Sequence, residues 1–390
     1  MTQIAPEMWA KLPADATQAA PPPPAPTYGQ EVRRRLLANK PAMASIIFIV
    51  ALVIAAFFGP MLSPHTYFRQ DLKLSNIPPA FETYSVTTST GEVMRFFLNA
   101  SNFNLYEVDE AGHVLSLVRG ERRDIIKKSQ AFEFGDVAVT LDFSSLPPRL
   151  VLDDSSELRP SGWSWNRTYL FGTDQLGRDI LVRQLYGAQI SLTVAFVATL
   201  VNFFVGVFYG GIAGYMGGKV DAVMMRIVEI ISTIPLTLYV VLLMVVFDNG
   251  LLSIIIAIGS VFWVDMARIV RGQILSLKSQ DYVAAARTMG ASPARILTRH
   301  LLPNSIGPII VTLTMLIPSA IFIESFMSFI GLGVTPPLAS WGSLTSEAVE
   351  TLRAYPHQLF FPAAAISLTM FAFNFLGDGL RDALDPRLRG

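Results

Sequence analysis

Three carboxylates fall in or beside stretches that are otherwise apolar: Glu229, Asp265 and Glu324. An acid at membrane depth is costly to keep there, so it counts as a functional candidate by default. All three are candidates for lining a translocation path. Each also has a simpler reading. Asp265 lies three residues before Arg268 and Glu229 three after Arg226, a spacing at which one helix pairs opposite charges. Glu324 has no such neighbour and lies deepest. It either faces a water-filled path or hydrogen-bonds across helices. The three are too far apart in sequence to be read as a proton relay. No GxSxG or HExxH arrangement occurs, so no catalytic residue is assigned. The four histidines (His65, His113, His300, His357) are scattered and cysteine is absent, which argues against metal sites and excludes disulfides. The GxxxxGK[ST] phosphate loop is missing as well. If nucleotide energy is used, another chain binds the nucleotide, and no cofactor is expected on this one.

Intramembrane carboxylates need spanning helices to hold them, and the composition provides for these. Of 390 residues 52% are hydrophobic and only 15% charged, against about 25% charged in a soluble protein. About twenty apolar residues cross a bilayer. Six runs qualify: Ala44–Leu62, Ile190–Tyr215, Ala222–Phe247, Leu251–Val270, Ile306–Ile330 and Leu359–Leu380. The chain starts with a polar tail, 1–42, which holds the run Pro21–Pro24 and is expected to be disordered. Arg33, Arg34, Arg35 and Lys40 precede the first crossing and hold the N-terminus in the cytoplasm by the positive-inside rule. Arg268–Asn304 carries six basic residues (Arg268, Arg271, Lys278, Arg287, Arg295, Arg299) against Asp281 alone, and the C-terminal tail carries Arg381, Arg387 and Arg389. Six crossings from an inside start put both stretches inside too. The expected fold is all-α and polytopic: a first crossing at 43–63 and a core at 171–390.

Residues 64–170 contain no spanning run and are read as a soluble insert on the outer face. Val137, Val139, Leu141 and Phe143 alternate with polar or small residues, a strand pattern. Leu105–Val108 and Val114–Val118 flank Asp109–Gly112, a hairpin signal. The insert is therefore expected to be rich in β structure. It either covers the bundle or docks an external partner.

One inner segment, Asp281–Asn304, has too many charges to span and too much helix propensity for a slack loop. Ala284, Ala285 and Ala286 favour helix, and Gly290 permits a corner. Ser292 and Pro293 read as an N-cap and first helical residue, and Pro303 is expected to end that second helix. The result is a short helix, a corner and a second short helix. Its small side chains leave a shallow surface that another protein can approach.

This segment resembles the cytoplasmic loop of ABC importer permeases: EAA, three residues, Gly, nine residues, then I-x-L-P. Ala284, Ala285 and Ala286 stand for EAA, Gly290 for the glycine, and Leu302 and Pro303 for the ending. Ala284 replaces the glutamate and His300 the isoleucine. Gly172-Thr173-Asp174, Gly177-Arg178-Asp179, Arg183 and Gly187 are similar to the dipeptide and oligopeptide permeases of the C type. So are Phe329–Val334, Pro336-Pro337, Ser340-Trp341-Gly342 and the ending Gly377–Arg387. The resemblance implies that loop 273–304 docks an ATP-binding subunit and transmits its closure. It implies a second homologous permease subunit, two ATP-binding subunits, an extracytoplasmic solute-binding protein and a bacterial inner-membrane location, with no nucleic-acid partner. The solute class is di- or oligopeptides, although nickel, glutathione and sugar carriers share these features. A stand-alone secondary transporter or channel is the alternative. It would show inverted repeats, broken helices at midplane or a filter-like stretch, and none of these is visible in the sequence.

Overall fold

Asn39 opens the first long helix: its Oδ1 accepts the Ala42 N–H at 3.1 Å, and Pro41 sits in the first turn, where no intrahelical donor is needed. The computed structural model describes residues 27–99, 102–121, 123–145, 148–247 and 250–385. The polyproline run lies outside the described residues. The end of the polar tail is helical, contrary to the expectation of disorder. Helix α1, Tyr28–Ala38, is closed by a capping box between Thr27 and Gln30, and Glu31 pairs with Arg34 and Arg35, each at 2.9 Å. The prolines stop at Pro26, so nothing prevents this turn from forming. Helix α2 spans Lys40–Leu62.

The insert folds as two antiparallel sheets. Strands β1 (Ala80–Thr87), β2 (Val93–Asn99), β3 (Asn104–Val108), β4 (Val114–Leu117) and β8 (Gly162–Trp165) form one, in the order β4-β3-β2-β1-β8. Strands β5 (Ser129–Phe134), β6 (Val137–Asp142) and β7 (Arg149–Leu152) form the other. Alternation along β2 feeds two cores. Phe96 stacks on Phe134 at 4.3 Å between the sheets, while Phe97 stacks on Phe81 at 4.1 Å on the opposite face. The expected hairpin is β3–β4, with Tyr106 opposite Leu117.

Thr173 stitches the insert to the bundle. Its hydroxyl accepts the Ile77 N–H at 2.8 Å, and its own N–H donates to Ile77 O at 2.9 Å.

The bundle contains α3 (Ile180–Met216), α4 (Gly218–Thr233), α5 (Leu236–Phe247), α6 (Leu251–Leu277), α10 (Ile306–Phe329) and α12 (Pro356–Leu384). Among the described residues five helices, α2 among them, are long and apolar enough to cross a membrane, or six if the bent pair α4–α5 counts as one span. The expected third crossing, Ala222–Phe247, is thus not one helix: it turns by 89°. Pro235 has no N–H to donate, and Ile234 before it is pushed to an extended ψ of 123°.

The tightest seam lies between α3 and α6. Gly206, Gly210 and Gly214 recur every four residues, and a Cβ on any of them would run into Met266, Ala267 or Arg271 respectively. Small residues at this spacing let two helix backbones touch.

Candidate functional site: a docking loop and two buried polar junctions

Between α6 and α10 the chain forms α7 (Asp281–Thr288), a corner, α8 (Pro293–Ile296), a π-turn over Leu297–Leu301 and α9 (Leu302–Asn304). The corner depends on Gly290 at φ +80°, where a side chain is strained. Ser292 accepts the Arg295 N–H at 3.3 Å and caps α8. Pro303 does not end the helical run as its sequence suggests. The π-turn, closed by Leu302 N–H to Leu297 O, shifts the register ahead of it. The Asn304 side chain then takes the His300 carbonyl at 2.7 Å, and Ser305 Oγ takes that of Leu301 at 2.9 Å. Helical backbone therefore continues into α10, which couples the loop directly to a membrane helix.

The loop has two faces. Val283, Ala286, Ile296 and Leu301 are buried against Val207, Met266, Val270 and Ile309. Ala284, Ala285, Arg287, Met289, Gly290 and Pro303 are exposed, and Leu302 is half-buried. The EAA-like positions thus split: Ala286 anchors, while Ala284 and Ala285 face outward. The position at which the sequence departs from the family glutamate is on the open face. Arg287 lies 5.8 Å over the Tyr215 ring, and Lys278 donates to Gly214 O and Tyr215 O at 2.9 and 3.2 Å, so the loop is also tied to the end of α3.

The three carboxylates do not meet. Glu229 is exposed on α4 and pairs with Arg226 at 3.0 Å. Asp265 is exposed on α6 and pairs with Arg268 at 3.4 Å, and Arg268 reaches across to Ser232 on α4 at 2.6 Å. Both make the local ion pairs that their spacing suggests. Glu324 is fully buried on α10. Ser191 of α3 and Ser328 each donate to it at 2.8 Å. Ser340, the cap of α11 (Trp341–Val349), donates to Ser328 at 3.1 Å, and the Trp341 N–H donates to Ser191 at 3.3 Å. Glu324 therefore joins α3, α10 and the start of α11 through hydroxyls.

A second junction was not assigned from sequence. Arg183 Nη1 donates to Asp174 at 2.6 Å and to Glu347 at 2.7 Å, and Arg178 binds the same two carboxylates at 2.6 and 2.8 Å. Arg183 is only 2% exposed. Burial would raise the Glu347 carboxyl, but the Arg183 and Arg178 guanidiniums outweigh it and hold the group below its ordinary range. The loop before α3 sets this up: Gly172 and Gly177 adopt positive φ, Asp174 accepts the Arg178 N–H at 2.9 Å, and Asp179 caps α3. Nearby, Gly187 packs on Ser340 and Trp341, and Gly342 packs on the Ser325 backbone. The motif stretches Gly172–Asp179 and Ser340–Gly342 thus converge on one end of the bundle. No group of three or more His, Asp or Glu able to hold a metal occurs among the described residues.

Residues 206–390 match the family described as binding-protein-dependent transport system inner membrane component, and residues 27–79 match the N-terminal TM domain of oligopeptide transport permease C. Loop 281–304 and all three carboxylates lie in the first match. The eight strands lie in residues 80–205, outside both. The dipeptide transport system permease protein DppC of Bacillus subtilis is 40% identical over 367 residues, covering 94% of this chain and 88% of that protein. The oligopeptide transport system permease protein OppC of the same organism is 52% identical over 224 residues, covering 57% of this chain and 73% of that protein. A structure of the MetNI methionine ABC transporter, 18% identical, covers 53% of this chain and 96% of its own with a TM-score of 0.43.

Proposed function

The chain belongs to the family of binding-protein-dependent transport system inner membrane components, and from that premise we propose that it forms half of the translocation path of an ATP-driven importer of di- or oligopeptides. It is a multi-pass inner-membrane permease subunit rather than an enzyme. Membership of this family displaces the reading as a stand-alone transporter or channel. Loop 273–304, with Ala284, Ala285, Ala286, Gly290, Leu302 and Pro303, docks a separate ATP-binding subunit. A second permease subunit completes the path, and a solute-binding protein delivers the peptide. Both chain termini lie in the cytoplasm.

The observation that carries this reading is the two-faced loop. An exposed surface of small side chains is backed by a buried apolar face that packs on α3, α6 and α10. A partner that presses on Ala284 and Ala285 therefore pushes on membrane helices without intervening slack. Glu229 and Asp265, exposed on the isolated chain, are path-lining groups in this reading. Glu324 positions helices.

The test is co-purification of the chain from membranes that express the whole transporter. Retention of two ATP-binding subunits and a second permease subunit is expected, with the ATP-binding subunits lost in Ala285→Trp. A chain that purifies alone, or an Ala285→Trp complex that stays intact, contradicts the reading.

A further inference from the structure

We infer that the β insert rests on the bilayer, with Trp163 and Trp165 seated in the lipid headgroup layer beside the end of α2. The tryptophans of the bundle and of the insert have opposite environments. Trp341 is 0% exposed and Trp263 9% exposed, whereas Trp163 and Trp165 are 73% and 75% exposed. The last two are separated by one residue on β8, so both rings stand on one face of the sheet. Among the described residues strand β8 is also an edge strand, paired only with β1. Two large amphipathic rings on an edge strand are a surface awaiting an occupant.

The position of β8 selects lipid as that occupant. Helix α2 has 23 residues, about 35 Å at 1.5 Å per residue, against about 30 Å of hydrocarbon. Its last turn therefore reaches the headgroups, and Met61 and Leu62 there are 80% and 86% exposed. Gly59 and Leu62 share a cavity with Arg167, Thr168 and Leu170, the residues just after β8. Trp165 lies two residues before Arg167, about 7 Å along an extended chain. Each headgroup layer is about 5–8 Å deep, so Trp165 falls at its level. The Arg167 N–H donates to Gly112 O at 3.1 Å, and the Thr168 hydroxyl accepts the Val114 N–H at 2.9 Å. These bonds fix the strand end to the β3–β4 hairpin. Leu170, beside that cavity, is 55% exposed, so large apolar side chains are exposed at the end of α2, at Leu170 and at the two rings. Tryptophan is enriched at this depth because its ring prefers the interface and its N–H still finds polar partners. The inference holds whichever face of the membrane carries the insert.

The test compares tryptophan emission of the complete transporter with that of a Trp163→Phe/Trp165→Phe variant, both in lipid nanodiscs. The difference emission belongs to these two rings. Phosphatidylcholine brominated near the headgroup end of its chains is expected to cut that difference on the order of twofold or more, with bromines near the chain ends cutting it less. Single variants Trp163→Phe and Trp165→Phe give the same measurement if the double variant inserts poorly. If brominated lipid leaves the difference unchanged, the inference is overturned. Quenching by aqueous acrylamide instead would mean an open surface, and quenching by neither would mean that a protein partner covers the face.

Discussion

The two ends of α10 are fastened differently. At its start, loop 281–304 packs through the apolar Val283, Ala286, Ile296 and Leu301, and the lysine and arginine contacts beside them, Lys278 to the Gly214 and Tyr215 carbonyls and Arg287 over the Tyr215 ring, are few. At its finish, α11 and the lead into α3 are held by Asp174, Arg178, Arg183 and Glu347, with Glu324 and its serines just below. Apolar contact is non-directional and tolerates small sliding. Charge-assisted hydrogen bonds demand fixed distances and angles. In the reading proposed above, the loop end is the one a partner moves, and the polar end keeps its geometry. The α3–α6 glycine seam adjoins the loop end, since Met266 and Ile274, which Gly206 and Gly214 abut, belong to the apolar cluster that holds the loop.

The strongest way to break this contrast is Arg183→Ala. It removes the more deeply buried of the two guanidiniums that Asp174 and Glu347 share, leaving Arg178 alone between them. A loss on the order of 3 kcal/mol is expected, against less than about 0.5 kcal/mol for Met289→Ala on the open loop face. Thermal unfolding of the purified chain in detergent measures both, and equal losses would remove the distinction. Gly210→Leu drives a side chain into the Ala267 backbone and is expected to cost about 1–3 kcal/mol. A neutral result would mean that the seam yields. Glu324→Gln keeps the shape but gives a buried serine hydroxyl a weaker acceptor. About 1–2 kcal/mol is expected, read in the same melts.

The smallest effect concerns pH. Glu347 titrates below its ordinary value in the folded chain, so its contribution is complete above the unfolded carboxylate pKa, about 4.3. It is lost as pH falls through the lower folded value. The gap in Tm between wild type and Glu347→Gln should therefore be constant from neutral pH down to about 5 and close below about 4. A gap that does not change with pH would show that the ion pairs do not hold this end.

Features with a local cause were legible in the sequence. Gly290 at the corner, the Ser292–Pro293 cap, the β3–β4 hairpin and the ion pairs of Glu229 and Asp265 all lie within a few residues of their causes. Hydropathy alone misled at the third crossing. An apolar run through Pro235 looks the same whether the helix continues or turns by 89°. Pro303 looked like a stop because a π-turn that absorbs it has no composition signal. Polar junctions were out of reach for a different reason. Arg178 and Glu347 are 169 residues apart, and Ser191 and Glu324 are 133 apart. The resemblance singled out Gly172–Asp179 and Ser340–Gly342 without showing that they meet.

The natural chain has no cysteine, which permits a direct test of the docking claim. A single cysteine is placed at Ala285 in one variant and at exposed Glu92 in the insert in another. Labelling by a water-soluble maleimide is measured with and without the ATP-binding subunits. The account predicts that Ala285→Cys labels readily in the permease alone and is protected when the ATP-binding subunits are bound, while Glu92→Cys labels equally in both. Unchanged labelling of Ala285→Cys in an intact, ATP-hydrolysing complex would contradict it.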